Sequence, residues 1–336
     1  MVSQQFDHSL TGEQIAFLHR MDSVEGEAVV AMTDRSRLAS ASFLDGRETF
    51  WGEQILRPLI PSTTGGTRAT RFVFHVGFAG STLLARLLDT PGQVVALKEP
   101  QCLADIAGQR ERIAAGEAIA SLDHLLDFAL HELGKVGDED ISVVVKPTNW
   151  VNSLLPELCA PGRLEHAVFV SMHRRHYLGA TFRGGNERLA FCARLAGQVA
   201  PVVPGGNSLL QAALAPTRDP FDRMARIMAV LHWLQEALFD DAIARNGWPD
   251  TVRIDFEDLV ADPEAVVARA RRHLALPAHP SEPGRAAILM KRHTKDPSHA
   301  FRPAARARED EFIEQRYGGC FDAAIAWLDD AVAARR

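Results

Sequence analysis

An apolar run, Phe72–Val76, ends directly on Gly77-Phe78-Ala79-Gly80-Ser81-Thr82, and the residues that follow place Leu83, Leu84, Leu87 and Leu88 on one helical face. A strand that breaks on two glycines and restarts as a helix leaves few folds open. The glycines let the backbone turn until successive N–H groups point into one hollow, and the helix adds the positive end of its dipole to the same place. The hydroxyls of Ser81 and Thr82 add two side-chain donors. Such a hollow suits a phosphate. It is not the cradle of kinases and ATPases, which needs Gly-x-x-x-x-Gly-Lys-Ser/Thr and so a lysine after the second glycine. The dinucleotide fingerprint Gly-x-Gly-x-x-Gly is also missing.

From Arg71 onward, short apolar runs alternate with helical stretches, the pattern of a parallel sheet wrapped by helices. The expected strands are Phe72–Val76, Val94–Leu97, Ser142–Lys146, Ala167–Met172 and Thr251–Asp255. The fold class is therefore α/β, with a central parallel sheet of about five strands flanked by helices. Residues 1–66 are read as a helical N-terminal extension, because Ile15, Phe17, Leu18 and Met21 fall at helical spacing. The breaker-rich stretch Pro61–Thr67 closes that extension. Residues 67–336 form the main domain, with a helical insertion at about 182–248. Within it, Pro201-Val-Val-Pro-Gly-Gly-Asn207 is expected to be a mobile surface loop over a substrate, and Phe221–Ala244 a long core helix. Asp262-Pro263-Glu264 reads as a helix start, with Asp as cap and Pro in the first turn.

Composition narrows the function classes. The chain has 336 residues, enough for a large core without a disulfide or metal staple, and a formal net charge of −6. That charge argues against nucleic acid as a partner, whereas local basic clusters, His173-Arg174-Arg175-His176 and Lys291-Arg292-His293-Thr294-Lys295, suit a small anionic ligand. The four cysteines form no CxxC pair and are expected as reduced core thiols. No run approaches the roughly 18 apolar residues of a membrane span, and the first residues carry no basic segment ahead of an apolar one. A cytoplasmic protein with no membrane partner is expected. No His-Glu-x-x-His is present, and His173-x-x-His176 lies among arginines, so no metal site is expected. Nor is there a Gly-x-Ser-x-Gly elbow.

The order strand, Gly-x-x-Gly-Ser-Thr-Leu-Leu, then Glu99-Pro100, resembles the 5′-phosphosulfate loop of sulfotransferases. Later segments agree in order. Arg253-Ile-Asp-Phe-Glu-Asp-Leu-Val-Ala-Asp-Pro-Glu264 is similar to the family's Glu-Asp-Leu strand end and Asp-Pro-Glu helix start. His293-Thr-Lys-Asp-Pro297 and the tail helix with Trp327-Leu328 resemble the donor-covering segment and tail of bacterial members. The resemblance spans about residues 70–330. It implies a P-loop-like domain that transfers a sulfuryl group from 3′-phosphoadenosine 5′-phosphosulfate to a hydroxyl or amine. The acceptor is a small molecule, peptide or glycan that no residue pattern identifies.

The residues fit that demand unevenly. Sulfuryl transfer needs donor and acceptor aligned, charge neutralised on the leaving phosphate, and a base for the acceptor proton. Glu99 follows a strand at the carboxyl edge of the sheet and is the candidate base; in some family members a glutamate here has that role. Lys146 ends the third strand at the same edge and is placed to meet the sulfonate or bridging oxygen. The resemblance assigns Gly77, Phe78, Ala79, Gly80, Ser81 and Thr82 to the 5′-phosphate. It assigns the 3′-phosphate to His173 or Arg174, with Arg175 beside them and Thr181 eight residues after His173, and sets Lys291, Arg292 and Lys295 over the same phosphates. Phe78 departs from the family, which carries a lysine or arginine there. The missing charge comes from Lys146, Lys98 or the C-terminal segment, or the protein binds a nucleotide without transferring sulfate efficiently. A P-loop kinase or nucleotide hydrolase is the remaining alternative.

Overall fold

A computed structural model describes residues 13–61, 68–278, 292–293, 296–300 and 303–335, the side chains of 292–306 excepted. The chain opens with β1 (Ile15–Asp22), β2 (Glu27–Thr33), α1 (Arg35–Ser40) and β3 (Glu53–Pro58). It continues with β4 (Arg71–His75), α2 (Ser81–Leu88), β5 (Val94–Lys98), α3 (Gln101–Ala114), α4 (Leu122–Gly134) and β6 (Ser142–Lys146). A 3₁₀ turn, Asn149–Leu154, leads to α5 (Leu155–Leu158), β7 (His166–Ser171), α6 (Arg174–Arg183), α7 (Gly185–Val199), α8 (Gly206–Leu214) and α9 (Pro220–Asn246). Then follow β8 (Arg253–Asp255), α10 (Phe256–Ala261), α11 (Pro263–His273), the short pair β9 (Arg292–His293) and β10 (Asp296–Ala300), and α12 (Pro303–Ala333).

Five strands form one parallel sheet in the order β5-β6-β4-β7-β8, helices covering it. Its strands read as unbroken apolar runs because both faces are buried: Phe72, Val73, Phe74, Val144, Val145, Val168 and Phe169 are fully enclosed. Phe72, Phe74 and Phe169 stack along one face, with centroids 5.3 and 5.7 Å apart. β4 lies in the middle. From it the chain first moves out to β5, returns to β6 and then crosses to β7, so the loop after β4 sits where the winding direction reverses. In open α/β sheets that point, at the carboxyl ends of the strands, is where ligands bind.

The N-terminal segment departs from the helical expectation. Its described part is an antiparallel sheet, β1-β2-β3, with only the six-residue α1 helical. The reason lies in β1. A bulge between Leu18 and Arg20 shifts its register, so Ile15, Phe17, Leu18, His19 and Met21 are all buried and strict alternation is lost. A bulged strand thus copies helical spacing. The sheet packs through β1 on α3 and α4. Met21 N–H donates to Asp105 and Ser23 N–H to Gln109 of α3. After α1, Leu44 N–H donates to the carbonyl of Lys98 at 2.7 Å, which fixes the chain beside the end of β5.

The Pro201–Asn207 stretch differs too. It holds the end of a short 3₁₀ turn, Ala200–Val202, and the first turn of α8, where Gly206 stands so close to the Ala200 carbonyl that a Cβ would lie 2.4 Å from it. The long helix α9 is capped by Asp219 and ended by Gly247 at φ 63°. α12 lies along α9 and α6. Among the described residues no helix is long and apolar enough to cross a membrane.

Candidate functional site

The loop after β4 is held by its carbonyls. Asn152 Nδ2 donates to His75 O at 3.0 Å, and Gln235 Nε2 donates to Val76 O at 3.0 Å. Asn149 Nδ2 lies 3.4 Å from the same Val76 oxygen. His75 itself is locked: its Nε2 faces Pro147 O at 3.0 Å and must carry the proton, because a proline carbonyl only accepts. Its Nδ1 then accepts Gly77 N–H, also at 3.0 Å. The carbonyls at the end of the strand are thus bound to buried amides before the turn begins.

Gly77, Phe78 and Gly80 all take left-handed backbone angles, φ 94°, 60° and 74°. Gly80 needs glycine twice over, since a Cβ would also lie 2.9 Å from the Phe256 ring of α10. It is the cap of α2 and has no side chain to satisfy the helix's first N–H groups. Those groups lack intrahelical acceptors by construction, so the start of α2 keeps its donors for another partner. Ser81 and Thr82 open the helix nearly buried, and Ala79 is fully so.

Phe78 is the anomaly, because left-handed φ in a bulky residue costs about 1–3 kcal/mol and persists only where its surroundings enforce it. Glu99 is the second such residue, at φ 59°. Both line one cavity of about 640 Å³. Glu99 N–H donates to Lys146 O at 2.6 Å, which turns its carboxylate back over the strand end. Lys146 Nζ meets Glu99 Oε1 at 2.5 Å and Arg47 Nη2 meets Oε2 at 2.7 Å. Lys146 is almost wholly buried, so this cation and carboxylate must be counted together. Oε1 thus accepts from Lys146 and Oε2 from Arg47.

The structure therefore brings together Gly77, Phe78, Glu99 and Lys146. Ala79, Gly80, Ser81 and Thr82 continue the same loop into α2, whereas Thr181, His173, Arg174 and Lys98 are placed elsewhere. Thr181 is fully enclosed and its hydroxyl donates to Leu178 O at 2.8 Å, so it faces the core and not a ligand. Arg174 pairs with Asp329 at 2.8 Å, and Arg175 with Glu314 and Asp322, all three carboxylates on α12. His173 caps α6. Lys98 points away from the loop: its Nζ donates to Ala39 O at 2.7 Å, and burial, foremost, lowers its pKa to about 8. It does not supply charge to the cavity. Lys291 and Lys295 lie outside the described residues, and of Arg292 only the strand β9 is described.

Most lining residues had no sequence signal, among them four that bear on the site. Arg47 and Asp45 come from the segment read as a helical extension. Trp150 and Arg188 come from the 3₁₀ turn after β6 and from α7. Asp45-Gly46-Arg47 has the composition of a tight turn, but nothing in it announces that the turn reaches the end of β5.

No protein-family model and no curated protein matches the chain.

Proposed function

We propose that the protein is a sulfotransferase-type enzyme of the P-loop-like α/β class, moving a sulfuryl group from 3′-phosphoadenosine 5′-phosphosulfate to a hydroxyl or amine. The observation that carries this reading is the meeting of Glu99, Lys146 and Arg47 at a cavity whose wall is the glycine loop. The strand order around β4 supports it, as does the position of the loop at the point where the winding reverses.

In this reading the N–H groups at the start of α2 and the Ser81 and Thr82 hydroxyls take the donor's 5′-phosphate. The acceptor lies in the cavity beside Glu99. Its oxygen or nitrogen forms the new bond to sulfur, its proton passes to the Glu99 carboxylate, and the S–O bond to the phosphate breaks, releasing adenosine 3′,5′-bisphosphate. Lys146, already at 2.5 Å from Glu99, is the cation nearest the proton transfer and offsets charge as the phosphate leaves. Arg47 keeps the carboxylate oriented from the other side. Arg174 is paired with Asp329 and Thr181 is enclosed, so neither is assigned to the 3′-phosphate in this reading.

Release of the bisphosphate from labelled donor over a panel of hydroxyl and amine acceptors tests the reaction. Turnover that falls about 100-fold or more in Glu99→Gln supports the assignment. Full turnover in that variant removes Glu99 from the base role.

A further inference from the structure

The cavity lining also includes Arg188, a cation that meets no counter-charge among the described residues. Arg188 of α7 sets its guanidinium carbon 4.6 Å from the centroid of the Phe78 ring. Its Nη1 donates to Ala180 O at 2.7 Å. Its shaft crosses Gly184, where a Cβ would stand 2.0 Å from Nε and 2.4 Å from Cδ. Gly184 has φ −78° and ψ 1°, angles open to any residue, so it is the arginine's passage and not the backbone that calls for glycine here. Phe78, held at its left-handed φ, presents the ring on which the guanidinium rests.

Arg188 is half-buried, and burial lowers its pKa, although a guanidinium remains charged in a protein. Among the described residues no carboxylate lies within ion-pair distance of it. Arg47, on the Glu99 side of the same cavity, is paired with both Asp45 and Glu99. A partly desolvated charge kept in place by a ring, a carbonyl and a bare glycine is a pre-set receptor, because most of its side-chain entropy is already lost.

We propose that Arg188 binds an oxyanion, a carboxylate, sulfonate or phosphate group, of the molecule that fills the cavity. The body of that molecule is apolar or aromatic. Trp150 and Phe191, packed edge to face at 5.9 Å, line the cavity with Ala104 and Gly108, and a volume of about 640 Å³ admits a ligand of modest size. The proposal rests on the preceding reading only in taking this cavity as the ligand site. The oxyanion has two sources, the sulfonate under transfer or an acid group of the acceptor itself.

Two titrations of the full chain separate them, each with wild type, Arg188→Gln and Gly184→Ala, and with melting temperature as the check on folding. Sodium sulfate added to protein saturated with adenosine 3′,5′-bisphosphate reports the transferred group. Benzoate against benzyl alcohol, without nucleotide, reports an acid-bearing acceptor. The wild type is expected to prefer the oxyanion at least tenfold in one of the two arms, sulfate over chloride or benzoate over benzyl alcohol. Arg188→Gln loses that preference, and Gly184→Ala, which displaces the arginine without removing it, weakens it in the same arm. Equal preference in wild type and Arg188→Gln with both folded, or wild-type binding weaker than about 10 mM for sulfate and benzoate alike, overturns the proposal. Failure of the bisphosphate to bind would end the sulfuryl-transfer reading and leave the benzoate arm intact.

Discussion

At the carboxyl edge of the sheet Lys146 and Arg47 converge on Glu99 beside a cavity, whereas Arg174, Arg175 and Arg183 of α6 reach to carboxylates of α12. Both groups are basic and both follow parallel strands or the helices next to them. They differ in what surrounds them. The α6 arginines are met by Asp329, Glu314, Asp322 and Asp310, whose side chains are half to two-thirds exposed, so these pairs join two helices in contact with water. Lys146 has 1% exposure and Glu99 12%, and they meet where two residues hold strained backbone angles. A basic cluster in sequence therefore says little until its counter-charges are known. The α6 pairs tie two helices together in water, whereas Lys146 and Glu99 meet buried beside a cavity.

The sharpest way to break this contrast is substitution at the two centres. Glu99→Gln keeps an oxygen for Lys146 to donate to, so the fold and bisphosphate affinity should hold while turnover falls roughly 10²- to 10⁴-fold. Arg175→Ala should leave turnover within about twofold and cost only about 0.2–1 kcal/mol of stability, an effect that shrinks in high salt. A larger loss of turnover in Arg175→Ala than in Glu99→Gln would reverse the two roles.

The loop offers a second comparison. Gly80 and Gly92 share left-handed angles, φ 74° and 71°, but a Cβ at Gly92 meets open space and one at Gly80 meets Phe256 and Leu259. Gly92→Ala should cost about 1 kcal/mol through its backbone alone. Gly80→Ala should cost about 1–2 kcal/mol more and lower nucleotide affinity, because α10 must shift away from the loop. Equal denaturation midpoints for the two variants would argue against close contact between α10 and the loop.

The two sheets are also comparable through pH. His19 in the antiparallel sheet and His232 beneath the parallel one are both lowered to about 4, chiefly by burial, against about 6.5 in an unfolded chain. Between those values the unfolded chain takes up protons that the native protein refuses. Stability should therefore fall as pH drops from about 6.5 toward 4 and be free of this effect above 6.5. His232 Nε2 donates to Met172 O at 2.9 Å, while its buried Nδ1 meets no partner among the described residues. His19→Phe and His232→Phe should each make the acid limb of a melting-temperature profile shallower. An unchanged limb in both variants would mean the histidines are already charged in the fold.

The parallel sheet was legible because strands buried on both faces leave unbroken apolar runs, and every strand ended within one or two residues of its expected limits. The loop was legible for a related reason: Gly77 and Gly80 are required by backbone angle, and that requirement is local. The antiparallel sheet was not, because its bulge removes the period of two from β1. Lys146 and Glu99 could be placed at one edge from strand ends alone. Arg47 and Arg188 could not, since the first reaches Glu99 across 52 positions and the second meets Phe78 across 110. Sequence reasoning registered the absence of a cation at Phe78, while the guanidinium over its ring comes from α7.

The central claim is that the loop and cavity serve a phosphosulfate donor without a divalent cation. Calorimetric titration of the full chain with adenosine 3′,5′-bisphosphate in the presence of EDTA tests this most directly. Saturable binding to one site, weakened in Gly80→Ala and retained in Glu99→Gln, is the predicted result. No binding of the bisphosphate, with saturable binding of ADP only when Mg²⁺ is supplied, would contradict it.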